Sequence, residues 1–280
     1  MSSSRRGLFR SAAQAAARAA IPDAVPGEPA ASPDTLSPDE LERYSRQLVL
    51  EQWGEAEQLR LRDASVLIVG AGALGSPVAA YLAGAGVGRI GIVDGDDVEL
   101  SNLHRQHLHH TSEIGVSKAH GAAAKLQLLN PEVMVEPYQV RLDAGNAEGL
   151  VLGHDLIVDC SDTFATRYAV NAACCQTGAW LVEGGVVGVT GMVMSIRPGS
   201  SACYRCAFEA EPADAPTCAE AGVLGPAAGV VGSLQALEAM KLLAGVPGAL
   251  LDAFLQVELL TGSFLRVATR RRDDCPDCGD

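Results

Sequence analysis

Apolar residues in this chain fall into blocks of two kinds. Short unbroken runs such as Ser65-Val-Leu-Ile-Val69 and Asp155-Leu-Ile-Val-Asp159 suit strands buried on both faces. Longer segments place apolar residues three and four apart, as an amphipathic helix requires. The pattern predicts a strand over 65–69, a helix to about Gly86, and a strand ending on Asp94. A helix then opens at Gly115-Val-Ser-Lys118 and stops before Asn130-Pro131, followed by strands over 133–140 and 155–159. Beyond them come a helix over 164–176, a short strand at Trp180-Leu-Val and a glycine-broken strand from Val186 to Ile196. A helix over 230–243 precedes strands over 254–259 and 264–268. Near the start, Ser37-Pro-Asp-Glu-Leu41 is a helix start signal, and residues 41–50 place Arg43 and Arg46 off an apolar helical face. Alternating strand and helix imply an α/β fold of Rossmann type: a mostly parallel sheet covered by helices on both faces. The later glycine-broken strands imply an antiparallel extension.

Between the first strand and helix runs Gly70-Ala-Gly72-Ala-Leu-Gly75. Strand, glycine turn, helix, second strand and acidic residue form a nucleotide-binding fingerprint. Gly70 permits the sharp turn, Gly72 a close approach of backbone N–H groups to phosphate, and Gly75 tight helix-on-strand packing. The helix N-terminus offers unpaired N–H groups to an anion, and Asp94 stands where a ribose-binding carboxylate is expected. The fingerprint does not choose among NAD, FAD and ATP.

Composition alters the outline at the N-terminus. Residues 1–36 combine Arg5-Arg6, an Ala-rich stretch and a Pro, Ala, Ser and acidic segment. They suit a disordered tail ahead of one globular unit, 37–280. Arg5-Arg6 also resembles an export signal, although Gln14 and Arg18 interrupt the apolar region such a signal needs. A net charge of −13 argues against nucleic acid as the main partner. No apolar run looks long and uninterrupted enough to cross a bilayer.

Cysteine spacing adds a second signal. Cys203-x-x-Cys206 and Cys275-Pro-Asp-Cys278 fit one tetrahedral zinc held by four thiolates, a closed and therefore structural site. Two disulfides or two redox pairs are the other reading. Cys160, Cys174 and Cys175 sit in apolar patterns and are expected as buried thiols, and so many thiols suit a reducing compartment such as the cytoplasm.

Further motifs occur in a fixed order. They are Arg43-Tyr-Ser-Arg46-Gln, the glycine turn, and Asp94-x-Asp96-x-Val98-x-Leu-Ser101-Asn102-Leu-His-Arg105-Gln106. After them come Gly115-x-x-Lys118, Asp159-Cys-Ser-Asp162, the first cysteine pair, Thr217-Cys218-x-Glu220-Ala-Gly and the second cysteine pair. Together they resemble the ThiF/MoeB/HesA adenylyltransferases, relatives of ubiquitin-activating enzymes, and most nearly the MoeB type. The likeness runs from about Ser37 to the C-terminus, making 37–280 an adenylation domain.

The resemblance implies binding of Mg-ATP and of a small ubiquitin-like sulfur carrier of the MoaD or ThiS type, ending in Gly-Gly. Its C-terminal carboxylate would be adenylated, for molybdopterin or thiamine-type sulfur transfer. Arg105 and Lys118 would meet the triphosphate, and Asp162 would hold Mg²⁺. Ser101, Asn102 and Gln106 would hydrogen-bond the nucleotide. Arg46 would reach the ATP of the other subunit of a homodimer, an ordinary surface role being its alternative. Lys118 lies in the first turn of a helix, where its charge opposes the macrodipole; a bound phosphate would remove that conflict, against the plainer reading of a solvated lysine. Asp159 reads as a structural carboxylate or loop cap. Thr163 replaces the family's usual Asn, which puts adenine or ribose contacts in doubt, and Ala73 replaces a frequent Gly. Cys218 could form a covalent link to the carrier or be dispensable. Two other readings remain: a nicotinamide-dependent oxidoreductase, which leaves Arg105, Lys118 and Asp162 unused, and a non-catalytic zinc-stapled binding scaffold.

Overall fold

The computed structural model describes residues 34–211 and 221–279. The proposed tail, apart from its last three residues, and the Thr217-Cys218-x-Glu220 motif lie outside the described residues. The residue before the helix start signal already packs on the globular unit: Leu36 is buried and its N–H donates to Glu55 Oε1 at 3.1 Å. The signal itself is a full capping box, in which Ser37 Oγ accepts from Glu40 N and Ser37 N donates to Glu40 Oε2.

Helices α1 (Pro38–Arg43), α2 (Ser45–Leu48) and α3 (Glu55–Asp63) precede strand β1 (Ser65–Val69). The helical face expected over 41–50 is thus divided at Tyr44, whose φ of −96° and ψ of 8° interrupt the helix. Then follow α4 (Gly75–Ala85), β2 (Arg89–Val93), α5 (Lys118–Leu129), β3 (Met134–Tyr138), α6 (Ala147–Val151) and β4 (Leu156–Asp159). Helix α7 (Phe164–Thr177) leads to β5 (Trp180–Val187), β6 (Thr190–Ile196), the single turn α8 (Tyr204–Ala207), α9 (Gly225–Ala244), β7 (Ala253–Glu258) and β8 (Ser263–Ala268).

The eight strands form one sheet in the order β3-β2-β1-β4-β5-β6-β7-β8. Strands β3 to β5 pair in parallel and β5 to β8 antiparallel, as expected. Pro137 is tolerated in β3 because that strand is a sheet edge. Alternation along β1 sends Val66 and Ile68 into a core with α3, α4, α5 and α9. Leu67 and Val69 enter a second core with α6, α7 and α8. Each fully buried aliphatic side chain contributes about 1.5–3 kcal/mol, so the unbroken apolar run of β1 belongs at the centre of the sheet.

Three expectations need correction. The strand begun by Trp180-Leu-Val continues to Val187, and the 186–196 segment is two strands joined at Gly188, where φ is +61°. Gly184 and Gly185 belong inside β5 because Gln235 and Arg167 occupy the space of their side chains; an added Cβ would lie 2.2 and 2.4 Å from them. Helix α9 starts five residues earlier than 230, with Pro226 in its first turn. It is also long and apolar enough to cross a membrane, at 20 residues and mean hydropathy 1.2, contrary to the expectation that no such run exists. Here it is a core helix: 56% of that window is buried, against α4, β5 and β6 among others.

Candidate active site

Strand order reverses direction between β1 and β4, and at such a switch point the loops leave a crevice at the carboxyl ends of the strands. A cleft of about 410 Å³ lies there. Its wall includes the glycine turn: Gly70 adopts φ +95°, donates to Val93 O at 2.7 Å, and has no room for a Cβ beside Cys160 O at 3.0 Å. A Cβ on Gly75 would meet Gly70 O at 1.9 Å, so helix and turn pack as the fingerprint predicts. Helix α4 has no side-chain cap. In its first turn Ser76 N and Val78 N donate to Gly72 O and Leu74 O and Pro77 has no N–H, so Gly75 N is the N–H of that turn left for a ligand.

Two side chains hold this turn. Asp94 Oδ2 accepts from Ala71 N and Oδ1 from Asp96 N, both at 2.8 Å. Buried His109 places Nε2 2.8 Å from Ala71 O. Burial lowers the His109 pKa, and in the neutral ring Nε2–H is the donor this carbonyl requires. The sequence pattern had pointed to Asp94 but not to His109.

Arg105, Gln106, Lys118, Asp162, Thr163, Asp94, Gly70, Gly72 and Ala73 all border the cleft. Gly75 stands behind the turn. Ser101 and Asn102 lie outside the wall: Asn102 accepts from Glu99 N at 3.3 Å, and Ser101 O accepts from Arg105 Nη1 at 2.9 Å. Their observed contacts therefore shape the Arg105 loop. Arg46 is exposed on α2 and does not border its own chain's cleft.

Lys118 is buried, with Nζ 3.3 Å from Asp96 Oδ2, and Arg141 Nη2 binds the other oxygen of Asp96 at 2.8 Å. The anion that offsets its position at the helix start is thus already present in the protein, so the conflict is relieved without phosphate, and the lysine is not a solvated one. Asp162 is exposed at the cleft. Thr163 Oγ1 accepts from Thr166 N at 3.3 Å and caps α7, a task Asn performs equally well. Gln106 is buried and its Oε1 lacks a hydrogen-bond partner among the described residues, so a donor on a ligand would satisfy it.

Sequence reasoning also missed Arg167, a cleft-lining residue of α7 paired with Glu183 at 3.7 Å. A lone acid inside the apolar run Leu181-Val-Glu-Gly-Gly-Val-Val was the available signal, since a buried carboxylate needs a partner. Asp143 and Arg141, on the loop after β3, complete the rim.

The four paired cysteines converge away from this cleft. Their sulfurs all lie within 4.8 Å of one another. Separations are 3.8 Å for Cys203–Cys206, 3.6 Å for Cys203–Cys275 and 3.4 Å for Cys206–Cys278. These are far from the roughly 2.05 Å of a disulfide and near the roughly 3.8 Å edge of a tetrahedron with metal–sulfur bonds of about 2.3 Å. Asn171 Nδ2 lies 3.6 Å from Cys203 Sγ, and Arg272 N lies 3.4 Å from Cys206 Sγ. Such N–H groups support thiolates.

Comparison with known proteins agrees with this geometry. The ThiF family pattern matches residues 44–277. The sulfur carrier protein adenylyltransferase of Thermus thermophilus is 47% identical over 86% of this chain and 92% of its own length. The adenylyltransferase and sulfurtransferase MOCS3 of Sus scrofa is also 47% identical, over 91% of this chain, which spans only 57% of that protein. Among solved structures, E. coli MccB crystallised with MccA-N7isoASN superposes with a TM-score of 0.78 at 23% identity, covering 86% of this chain and 75% of that one; it speaks for the fold. Cleft, glycine turn, cysteine cluster and matched length all agree, and the chain belongs to the ThiF family.

Proposed function

We propose that this chain adenylates the C-terminal glycine carboxylate of a ubiquitin-like sulfur-carrier protein at the expense of ATP. The observation that carries the reading is the meeting of Arg105, Lys118 and Asp162 with the glycine turn in one cleft. The Thermus thermophilus relative, a sulfur carrier protein adenylyltransferase, supplies the substrate class.

In this reaction a carboxylate oxygen bonds to the α-phosphorus as the bond from that phosphorus to the bridging oxygen breaks. Acyl-adenylate and pyrophosphate are the products, and no proton need move. The nucleophile is already ionised at neutral pH, so the barrier is the approach of one anion to another. Catalysis then rests on positioning and charge neutralisation. Arg105 and Lys118 supply the cations, with Lys118 exchanging part of its pairing with Asp96 for phosphate. N–H groups of the glycine turn, with Gly75 N at the start of α4, hold phosphate oxygens. Asp94 keeps a free lone pair on each oxygen for a ribose hydroxyl, while Gln106 and Thr163 border the nucleotide. Asp162 offers a hard oxygen ligand to Mg²⁺, which adds positive charge against the phosphates when bound.

Arg46 serves the cleft of a second copy in a homodimer. The cysteine cluster holds zinc as a structural brace, because no fourth position is left open by four thiolates. A reducing cytoplasm and sulfur transfer toward molybdopterin or a thiamine-type product complete the reading.

The test is exchange of labelled pyrophosphate into ATP by purified protein with Mg²⁺ and a Gly-Gly-ended carrier. Exchange is expected, and Asp162→Ala abolishes it; exchange retained in that variant removes the metal role. Protection from thermal unfolding by NADH and not by ATP would favour a nicotinamide oxidoreductase, whereas stoichiometric zinc without ATP binding would favour a scaffold.

A further inference from the structure

Beneath the cleft, Asp159 of β4 and Glu183 of β5 stand side by side in the register of two parallel strands, both fully buried. The guanidinium of Arg167 reaches them from α7, with Nη1 3.7 Å from Glu183 Oε1. It is the sole charged partner that the described residues place against two carboxyl groups. Two buried carboxylates with one cation would leave an uncompensated charge in the core. If both were ionised, Asp159 Oδ2 and both Glu183 oxygens would also lack a hydrogen-bond donor. One proton between the carboxyl groups removes the excess charge and pairs Asp159 Oδ2 with one Glu183 oxygen, leaving one oxygen of the three, and not all three, without a donor.

The remaining bonds of this trio converge on one peptide. Asp159 Oδ1 accepts from Ser161 N at 2.8 Å, and Arg167 Nη2 donates to Ser161 O at 3.1 Å. Ser161 immediately precedes Asp162. Room for the guanidinium exists because residue 185 is glycine. Gln235 of α9 holds the Asp159 carbonyl at 2.7 Å.

We propose that Asp159 and Glu183 share a single proton, with Glu183 the acid and Asp159 the carboxylate, and that with Arg167 they position the Ser161–Asp162 segment for metal binding. Asp159 receives the Ser161 N–H at 2.8 Å, which favours its ionised form, whereas the Gly184 N–H, the backbone donor near Glu183, makes no hydrogen bond of normal geometry to it; the proton therefore belongs on Glu183. Burial raises both acids, Glu183 well above the usual carboxylate range, and the neighbouring Asp159 charge adds to that rise. Other titratable groups facing the pair are Cys160 just past β4, Cys174 on α7 and Tyr204 on α8, and burial raises all three pKa values, so all are neutral at pH 7. Arg167 stays protonated: burial opposes its charge, but Glu183 and its other partners hold its pKa above the ordinary value. These residues are positioning residues. Their metal-site role rests on the proposed function, whereas the shared proton does not.

The test uses the full chain. Infrared spectroscopy at neutral pH should show a protonated-carboxyl stretch in wild type that Glu183→Gln removes. Glu183→Gln keeps the neutral hydrogen-bonding shape, and its Mg²⁺-dependent ATP affinity should stay within about twofold of wild type. Asp159→Asn moves the negative charge to Glu183 and removes the carboxylate that accepts from Ser161 N, and should weaken that affinity roughly 10- to 100-fold, as loss of outer-shell support does. Arg167→Lys keeps the charge but not the bridge to Ser161, and reports on positioning even if Asp159→Asn does not fold. Thermal stability gives a second sign. A raised acid contributes stability that is full below its unfolded pKa near 4.3 and is lost as pH rises toward its folded pKa. Glu183→Gln should therefore gain on wild type as pH increases. Absence of the protonated band, or equal damage by Glu183→Gln and Asp159→Asn, overturns the proposal. If wild type binds no ATP, the adenylation reading fails, while the infrared result still decides the shared proton.

Discussion

Lys118 Nζ and Asp96 Oδ2 stand 3.3 Å apart, joining the first turn of α5 to the loop after β2. Asp96 also holds Arg141, so one half-exposed carboxylate restrains two cations at the cleft. A nucleotide phosphate would compete for the same lysine. In Asp96→Asn the phosphates become the one strong anion left to Lys118. The free protein should lose about 1 kcal/mol, a value kept small because Asp96 is solvated. ATP should then raise the Tm of the variant more than that of wild type. An equal or smaller shift in a melting assay would show that Lys118 does not meet phosphate.

Two glycines of one helix separate packing from propensity. Gly75→Ala drives a Cβ to 1.9 Å from Gly70 O, which should cost about 1–3 kcal/mol and weaken ATP binding by moving the turn. Gly84 is exposed in the same helix with nothing within 4 Å of its Cβ position. Gly84→Ala should stabilise by up to about 1 kcal/mol and leave ATP binding unchanged. Urea denaturation of both variants checks the pair.

The cysteine cluster makes a separate prediction. Cys275→Ser should lose the metal and, with it, about 4 kcal/mol or more of stability, a fall of roughly 8 °C or more in Tm. Elemental analysis and thermal melting measure both. None of the four cysteines borders the cleft, so variant protein that remains folded should still bind ATP.

Acid sensitivity should trace in part to His154. Burial, followed by the charge of Arg89, lowers its pKa from 6.5 to about 4. A depressed histidine contributes stability that is full above its unfolded pKa and is lost as pH falls toward the folded value. The window is therefore about pH 6.5 down to 4. The two-and-a-half-unit difference amounts to about 3 kcal/mol. His154→Gln should flatten the decline across that window when stability is followed by urea denaturation at successive pH values.

Legibility followed the range of the interaction involved. Local patterns determined the strands, the capping box at Ser37–Glu40, the glycine turn and the paired cysteines, because each depends on residues a few positions apart. The antiparallel extension was readable for the same reason, although the span of β5 was not. Gly184 and Gly185 fell in the gap between the strand expected at Trp180-Leu-Val and the one expected from Val186. Only α7 and α9, bringing Arg167 and Gln235 into that space, made them strand residues.

At the site, Arg105, Lys118 and Asp162 could be picked out by residue type and motif. Their partners could not. Asp96 as the counter-ion of Lys118, His109 beneath the glycine turn, and Arg167 paired with Glu183 are decided by which strand ends lie next to each other. The sequence alone settled which groups the chain carries and the elements that bear them. Tertiary structure decided which charges meet, since pairing energy depends on separation and burial, and neither is a local property of the chain.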